Sequence, residues 1–269
     1  MPVRHNEGMD LGLTERVFVV TGGSRGLGLA TAATLVSEGA HVILVARDQV
    51  GLDSATAKLG GGASAVGIPG DLGDPTTAER VVAAAVARFG RLDGALIGVG
   101  GPPAGTVMGT DDDTWRSSFE TVFLGSLRVA RAAANAMSSH PGDLLGVGGS
   151  LVFVLGTSAR EVLPGMSPSN GLRPGLGMMV KDLADELGPR GIRVNGLMPG
   201  RISTDRVFAN DARAGSPEMV RRRNESAIPL GRYGQPEEFG RIASFLLSPT
   251  ASYVTGSLVP VDGGMLRSF

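Results

Sequence analysis

Short apolar runs, separated by longer amphipathic stretches, recur along most of this chain. Runs at 17–20, 41–45, 65–68, 94–97, 149–152 and 258–261 are rich in Val, Ile, Leu and Ala. Their length and composition predict strands that are buried on both faces. Helices are predicted between them at 27–36, at about 74–89 with Asp74 as N-cap and Pro75 in the first turn, up to residue 187, and from Pro236. Strands that alternate with helices predict a parallel sheet covered on both faces.

The first predicted strand runs into the sequence Thr-Gly-Gly-Ser-Arg-Gly-Leu-Gly at 21–28, and a predicted helix follows. Glycines allow a tight bend, and the N–H groups at a helix N-terminus favour an anion. The pattern predicts a dinucleotide site that includes Gly22, Ser24, Arg25, Gly26, Leu27 and Gly28. An ordinary glycine-rich loop is the alternative. With the site, the expected fold class is α/β: a single-domain Rossmann-like doubly wound parallel sheet flanked by helices.

The end of the second predicted strand bears on the choice of cofactor. This position faces the adenosine ribose in dinucleotide sites, and an acidic residue there binds the 2′-hydroxyl. Here Ala46 and Arg47 stand at that place, and Arg25 lies in the glycine turn. Two guanidinium groups can clamp a 2′-phosphate, which predicts NADP(H). The alternatives are that both arginines are merely solvated, or that Asp48 takes the acidic role.

Composition narrows the possible functions. The chain has 269 residues, a formal net charge of -1 and no cysteine. Near-neutral charge argues against nucleic acid as a partner, and the absence of thiols excludes disulfides. His5, His41 and His140 are scattered, so no metal site is expected. No apolar run reaches the length of a membrane span, and residues 1–13 form a polar N-terminal tail. We therefore expect a cytoplasmic protein whose domain covers residues 14–269.

Further motifs are spread over about residues 14–265. They are Asp71-Leu72, Leu92-Asp93, Arg190-Gly191-Ile192-Arg193-Val194-Asn195, Pro199-Gly200-Arg201-Ile202-x-Thr204-Asp205, Gln235-Pro236-Glu237-Glu238, and Val254-Thr255-Gly256 with Val261-Asp262-Gly263-Gly264. Together with the glycine turn, they resemble the short-chain dehydrogenase/reductase family.

The resemblance implies roles for several of these residues. Asp71, with Leu72, would contact the adenine, and Gly98 and Gly100 occupy the family's Asn-Ala-Gly segment after the fourth strand. The loop with Pro199, Gly200, Ile202 and Thr204 would hold the nicotinamide carboxamide, and residues 203–229 would form the substrate lid. The family also implies a homotetramer, with contacts through the helices around 114–137 and 170–187. The small residues Gly125, Ala130, Ala133, Gly175 and Gly177 would permit close approach there.

The catalytic centre departs from the family pattern. Most members use an Asn-Ser-Tyr-Lys set, and the corresponding positions here are Val122, Gly156, Ser169 and Arg173. Arg173 stays protonated, so it cannot relay a proton but can stabilise an oxyanion. Ser169 and Thr157 can donate hydrogen bonds, and Asn170 can orient a carbonyl. These four residues are the candidate catalytic set.

Two acidic or basic features near the centre have alternative interpretations. Glu161 is either a group with a tunable pKa or a solvated loop carboxylate. The run Arg221-Arg222-Arg223 either meets an acidic substrate or forms a solvated helix face.

A divergent subgroup, related to 3-oxoacyl-carrier-protein reductases, carries Gly-Gly-Pro-Pro after the fourth strand and Ser-Asn-x-x-Arg in place of the Tyr and Lys. Residues 100–103 and 169–173 match both stretches. The hypothesis is an NADP(H)-dependent oxidoreductase that acts on a small carbonyl or alcohol substrate through a non-standard site. The alternatives are a weak or inactive NADP(H)-binding sensor or assembly protein, and a lyase or isomerase.

Overall fold

The computed structural model describes residues 10–137 and 148–268, and a single parallel sheet organises them. Its strands are β1 Val17–Thr21, β2 His41–Ala46, β3 Ala65–Pro69, β4 Gly94–Ile97, β5 Gly149–Val154, β6 Ile192–Pro199 and β7 Leu258–Val261. They lie in the order β3-β2-β1-β4-β5-β6-β7, and every neighbouring pair is parallel. The predicted doubly wound α/β fold is confirmed.

Helices cover both faces of the sheet. They are α1 Gly26–Ser37, α2 Gln49–Lys58, α3 Thr77–Phe89, α4 Asp112–Ser118, α5 Gly125–Ala136, α6 Ser167–Leu187, α7 Asp205–Arg213, α8 Pro217–Ser226 and α9 Pro236–Leu247. A π-helical stretch, Phe119–Leu124, joins α4 to α5. Two apolar cores result, one on each side of the sheet. Alternate residues of β5 show this, because Leu151 belongs to one core and Val152 to the other.

The strand order places the functional edge of the sheet. From β1 the chain winds outwards to β2 and β3, and then returns to β4 on the other side of β1. The crevice at such a switch point is where open α/β sheets bind ligands. At the carboxyl ends of these two strands, Thr21 Oγ1 donates a 2.7 Å hydrogen bond to the Gly98 carbonyl. The same oxygen accepts a 2.8 Å bond from the Gly98 N–H. These two hydrogen bonds hold the carboxyl ends of β1 and β4 together at the base of the crevice.

One predicted helix boundary is wrong. Helix α3 begins at Thr77 with Thr76 as its N-cap residue, three positions after the predicted start. Asp74 caps the preceding turn instead, because its carboxylate accepts hydrogen bonds from both the backbone N–H and the hydroxyl of Thr76. A local side-chain bond of this kind competes with helix formation.

The small residues expected to serve a tetramer interface pack within the chain. A methyl group on Gly125 would overlap the Leu72 carbonyl, and one on Gly175 would lie 3.0 Å from the Phe123 ring. Gly177 likewise faces Leu258, and Ala130 and Ala133 are buried. Their size is therefore explained by close packing inside one subunit. The tetramer itself stays a prediction.

The described residues also bear on membranes and metals. None of the helices described is both long enough and apolar enough to cross a bilayer. Among residues 10–137 and 148–268, no group of three or more His, Cys, Asp or Glu side chains is arranged to hold a metal ion. His5 and His140 lie outside these ranges, as does most of the predicted tail.

Candidate active site

The glycine turn between β1 and α1 has the backbone that its sequence predicts. Gly22 and Gly26 adopt φ values of 67° and 56°, a region that L side chains rarely enter. A methyl group on Gly28 would overlap the Gly22 carbonyl oxygen, so only glycine fits there. No side chain caps α1, whose N-cap residue is Arg25. The first N–H groups of the helix therefore point into the crevice without a side-chain acceptor, as an anion site requires.

The Pro199–Thr204 loop meets the glycine turn from the other side of the crevice. A methyl group on Gly26 would lie 3.5 Å from Thr204 Cγ2. Thr204 also ends the loop, because its hydroxyl accepts a 3.4 Å bond from the Val207 N–H and caps α7. Close packing of Gly200 against Asp262 fixes the start of the loop. Ile202 is buried beneath it. The structure thus brings together the two segments expected to hold the cofactor diphosphate and the nicotinamide.

Arg47, at the end of β2, is free to meet a phosphate. Its side chain is 79% exposed, and its one described ion pair, with Asp71, spans 3.9 Å. Asp48 is already engaged, because its carboxylate accepts bonds from the N–H groups of Val50 and Gly51 and caps α2. The interpretation in which Asp48 serves as the ribose acceptor is therefore not the one the structure favours. Ser24 lies beside the same helix start.

The predicted adenine end has a shape consistent with its role. Asp71 follows β3, is exposed, and accepts a 2.9 Å bond from the Gly73 N–H. Leu72 is buried against α5. Gly98 stands at the end of β4 next to Gly22, and Gly100 is exposed two residues later. The edge of the crevice at this end is formed by backbone and by one short carboxylate.

Two hydroxyl groups meet where β5 and α6 converge. Ser169, in the first turn of α6, and Ser158, in a 3₁₀ helix at 157–159, are both buried, and their Oγ atoms are 2.9 Å apart. Thr157 is buried in the same short helix. Ser169 was a candidate catalytic residue, whereas Ser158 was not predicted.

Arg173 lies one helical turn beyond Ser169 on the same face of α6. Only 7% of it is exposed, and its Nη1 donates a 2.7 Å bond to the Val154 carbonyl at the end of β5. Burial is the main cause that lowers the pKa of Arg173 to about 10, and repulsion from Arg206 adds to it. The guanidinium is therefore still a cation at neutral pH, held in a site where its charge is poorly solvated.

Gly156 lies beside the Arg173 side chain. Its φ of 94° favours glycine, and a methyl group there would lie 3.8 Å from Arg173 Cδ. Val122, the other replaced position, is buried in the π-helical stretch. It offers an apolar side chain where the family pattern has an amide.

Asn170 does not face the crevice as a carbonyl-orienting group. Its Oδ1 accepts a 3.0 Å bond from the Leu163 N–H, and its Nδ2 donates a 2.8 Å bond to the Leu163 carbonyl. Both ends of the amide are thus used to hold the loop that follows β5. The structure assigns Asn170 a positioning role, which corrects the prediction that it orients a substrate carbonyl.

Glu161 is not a poised acid or base. It accepts hydrogen bonds of 2.8 and 3.0 Å from the N–H groups of Arg267 and Ser268. These bonds favour the ionised form, and the pKa of Glu161 falls below its ordinary value. The loop-carboxylate interpretation is the one that the structure supports, with a specific structural partner.

Helices α7 and α8 lie within residues 203–229, the segment expected to form a substrate lid, and a buried polar network joins them. The Asp211 carboxylate accepts 2.7 Å bonds from Arg201 Nη1 and from the Tyr233 hydroxyl. Asn224 of α8 donates a 2.8 Å bond to the same hydroxyl. Arg221 donates to Glu225 and covers the Tyr233 ring, so it belongs to the lid. Arg201 also belongs to the loop expected to hold the nicotinamide. Its ion pair with Asp211 therefore connects that loop to α7.

Arg206, on the first turn of α7, reaches across the crevice and was not predicted. Its Cζ would lie 2.8 Å from a methyl group on Gly101, so the guanidinium rests directly against the loop that follows β4. Partial burial of the guanidinium, with repulsion from Arg25 and Arg213, lowers the pKa of Arg206.

Comparison with known proteins agrees with this geometry. Residues 22–266 match the sequence profile of the enoyl-(acyl carrier protein) reductase family. The human protein called dehydrogenase/reductase SDR family member 4 is 34% identical over 257 residues, which cover 94% of this chain and 88% of that protein. The chain belongs to the short-chain dehydrogenase/reductase family.

Two further members of the short-chain dehydrogenase/reductase family resemble the chain along its length. The 3-oxoacyl-(acyl-carrier-protein) reductase FabG of Salmonella typhimurium is 34% identical over 93% of this chain and 97% of that protein. The structure of L-sorbose reductase from Gluconobacter frateurii, complexed with NADPH and L-sorbose, superposes with a TM-score of 0.90. It is 30% identical and covers 97% of this chain and all of that one.

Proposed function

We propose that this short-chain dehydrogenase/reductase is an NADP(H)-dependent oxidoreductase that acts on a small carbonyl or alcohol substrate through a non-standard active site. One observation carries the proposal. A buried cation, Arg173, and a buried hydroxyl pair, Ser158 and Ser169, lie at the ends of β5 and α6, beside an intact dinucleotide turn. This arrangement suits the stabilisation of negative charge on oxygen.

Two observations support the choice of NADP(H). Arg25 and the highly exposed Arg47 lie at the turn and at the end of β2, where a 2′-phosphate would meet them, and Asp48 is engaged as a helix cap. The L-sorbose reductase that superposes on the chain was solved with NADPH. Charge-assisted bonds from guanidinium to phosphate are about twice as strong as neutral ones.

In this proposal the bound nicotinamide supplies or accepts a hydride at the substrate carbon. The chain's own residues then act on the substrate oxygen. Arg173 stabilises the alkoxide that forms during reduction, since its charge persists at neutral pH. The serine hydroxyls donate hydrogen bonds to that oxygen, and because an aliphatic hydroxyl is a poor acid, the proton comes from water.

A sensor or assembly protein is the second candidate, favoured by one observation. The phenol and ammonium that the family pattern uses for acid–base chemistry are replaced by Ser169 and Arg173, which cannot donate a proton near neutral pH. An intact cofactor crevice without an acid suits a protein that binds NADP(H) and reports it.

A turnover assay beside a binding measurement separates the two functions. NADPH oxidation is followed with a panel of 3-oxoacyl thioesters, quinones and simple ketones, and NADPH binding is measured by calorimetry. Turnover of any panel member that depends on Arg173 supports the oxidoreductase. If NADPH binds at micromolar affinity and no member of the panel turns over, the sensor replaces it.

We also propose that the protein acts as a cytoplasmic homotetramer. The family resemblance supports this, and so do Phe119 and Met178, two apolar side chains exposed on the segments expected to meet a second copy. Light scattering at micromolar concentration tests the assembly, and a monomer would contradict it.

A further inference from the structure

Two arginines converge on the substrate end of the crevice from different elements. Arg173 comes from α6 and is almost fully buried, and Arg206 comes from the lid and rests against Gly101. The two guanidiniums are close enough for repulsion to lower the pKa of Arg173. In residues 10–137 and 148–268, no carboxylate lies within ion-pair distance of either group.

Such an arrangement costs stability unless an anion compensates it. Burial of the Arg173 cation without a carboxylate partner is disfavoured, and repulsion from Arg206, which is exposed to solvent, adds to the cost. Arg173 has five N–H donors, and the Val154 carbonyl accepts from one nitrogen only. Within residues 10–137 and 148–268, no other acceptor lies within hydrogen-bond distance of Arg173. A pair of like charges kept at this cost is typical of a site that binds an anion.

The chain's neutral donors locate the expected anion more closely. The N–H groups of the glycine turn and of α1 are expected to hold the cofactor diphosphate. Arg206 rests against the loop after β4, and its charge acts on Arg173 and on Arg25 of the glycine turn. A planar carboxylate matches the fork of a guanidinium and forms paired hydrogen bonds with it.

We propose that Arg206 binds a carboxylate group of the substrate, so that the substrates are carbonyl compounds or alcohols that carry a carboxylate near the reacting carbon. Arg173 faces the reacting oxygen, and its positive charge also attracts the carboxylate. Because Arg206 belongs to α7, the carboxylate also draws the lid onto the crevice. This inference rests on the proposed oxidoreductase function and names its substrate class.

The test measures binding, so that it does not depend on having the right substrate. Benzoate and benzamide, and 2-oxobutanoate and its amide, are titrated by calorimetry into the NADP⁺-loaded protein and into the protein without cofactor. Each pair has nearly the same shape and differs in charge. We expect the carboxylate of each pair to bind at least about tenfold more tightly than the amide.

Three variants and one control test whether Arg206 causes the preference for carboxylates. Arg206→Gln should lose about tenfold or more in carboxylate affinity, and Arg206→Lys should recover part of it as a point charge. Gly101→Ala should weaken carboxylate binding less than Arg206→Gln does, since the added methyl group moves the guanidinium but leaves its charge in place. Arg222→Gln, which removes an exposed charge from the other lid helix, is the matched control and should change affinity less than about twofold.

Each other outcome overturns the proposal in a distinct way. Equal binding of carboxylates and amides, or no binding of either, removes the carboxylate site. A loss of NADP⁺ affinity in Arg206→Gln without a change in carboxylate binding assigns Arg206 to the cofactor diphosphate. Failure of the unmodified protein to bind NADP⁺ contradicts the oxidoreductase function, and the titration without cofactor still decides whether the carboxylate site exists.

Discussion

The Oγ atoms of Ser158 and Ser169 lie 2.9 Å apart in a part of the crevice where both residues are buried. One hydroxyl must donate to the other, so the pair has one hydrogen left to offer to a substrate oxygen. An aliphatic hydroxyl is a poor acid. In the proposed mechanism the pair can therefore hold an oxyanion but cannot supply its proton, and the positive charge of Arg173 would make the strongest local contribution to catalysis.

The first prediction follows from that charge. Arg173→Ala should lower kcat by about a hundred- to a thousand-fold on any substrate that turns over, because loss of one oxyanion-stabilising donor has this effect. Arg173→Lys should retain part of the rate, since it keeps a cation. NADPH oxidation at saturating cofactor gives kcat, and calorimetry checks that NADPH affinity is kept. An unchanged kcat in Arg173→Ala would place the reacting oxygen elsewhere.

The second prediction concerns cofactor choice. The unmodified protein should bind NADPH more tightly than NADH. Arg47→Ala should weaken NADPH by about 1–3 kcal/mol, because a charge-assisted bond to the 2′-phosphate is lost. Titration with NADH is the internal control and should be unaffected by the substitution. Equal or tighter binding of NADH by the unmodified protein would refute the assignment.

The third prediction concerns the lid anchor. Tyr233→Phe removes the hydroxyl that donates to Asp211 and accepts from Asn224, and leaves a buried carboxylate with one donor fewer. We expect a loss of about 1–3 kcal/mol in unfolding free energy and faster amide exchange in α7. Urea denaturation and hydrogen exchange measure both effects. Tyr253→Phe is the control, because Tyr253 is fully exposed and its hydroxyl should contribute nothing.

The fourth prediction is a pH dependence at the start of α9. Arg232 forms two hydrogen bonds, of 2.8 and 2.7 Å, with Glu238, and with the Gln235 N–H these lower the pKa of Glu238 to about 2. A carboxylate with a lowered pKa stabilises the fold above its ordinary pKa of 4.5, and this contribution is lost as pH falls towards 2.

Glu238→Gln removes that contribution. Because Glu238 is 40% exposed, solvent screening should limit the loss at pH 7 to about 1 kcal/mol or less. The difference in unfolding free energy between the two proteins should narrow below pH 4 and vanish near pH 2. A difference that stays constant from pH 7 to pH 3 would show that the carboxylate charge is not involved.

Local patterns were enough to predict the glycine turn and six of the seven strands, whereas β6, Ile192–Pro199, was not predicted. Buried parallel strands read as continuous apolar runs, and the glycines at 22, 26 and 28 are required by the backbone itself. Contacts between segments distant in the chain were not predictable. Asp211 looks like an ordinary polar residue of a charged helix, and only the fold brings Arg201 and Tyr233 to it. Asn170 was misassigned for the same reason, because its partner is a loop backbone.

The close fit of Arg206 against Gly101 has a consequence for how such proteins diverge. A side chain at 101 would force the Arg206 guanidinium to leave this place, whereas glycine at 101 is compatible with any residue at 206. Among natural relatives, an arginine seated here should therefore occur together with glycine at 101. Lineages that lose the glycine should also lose this placement of the arginine, and the pair then marks the descendants that kept the proposed carboxylate preference.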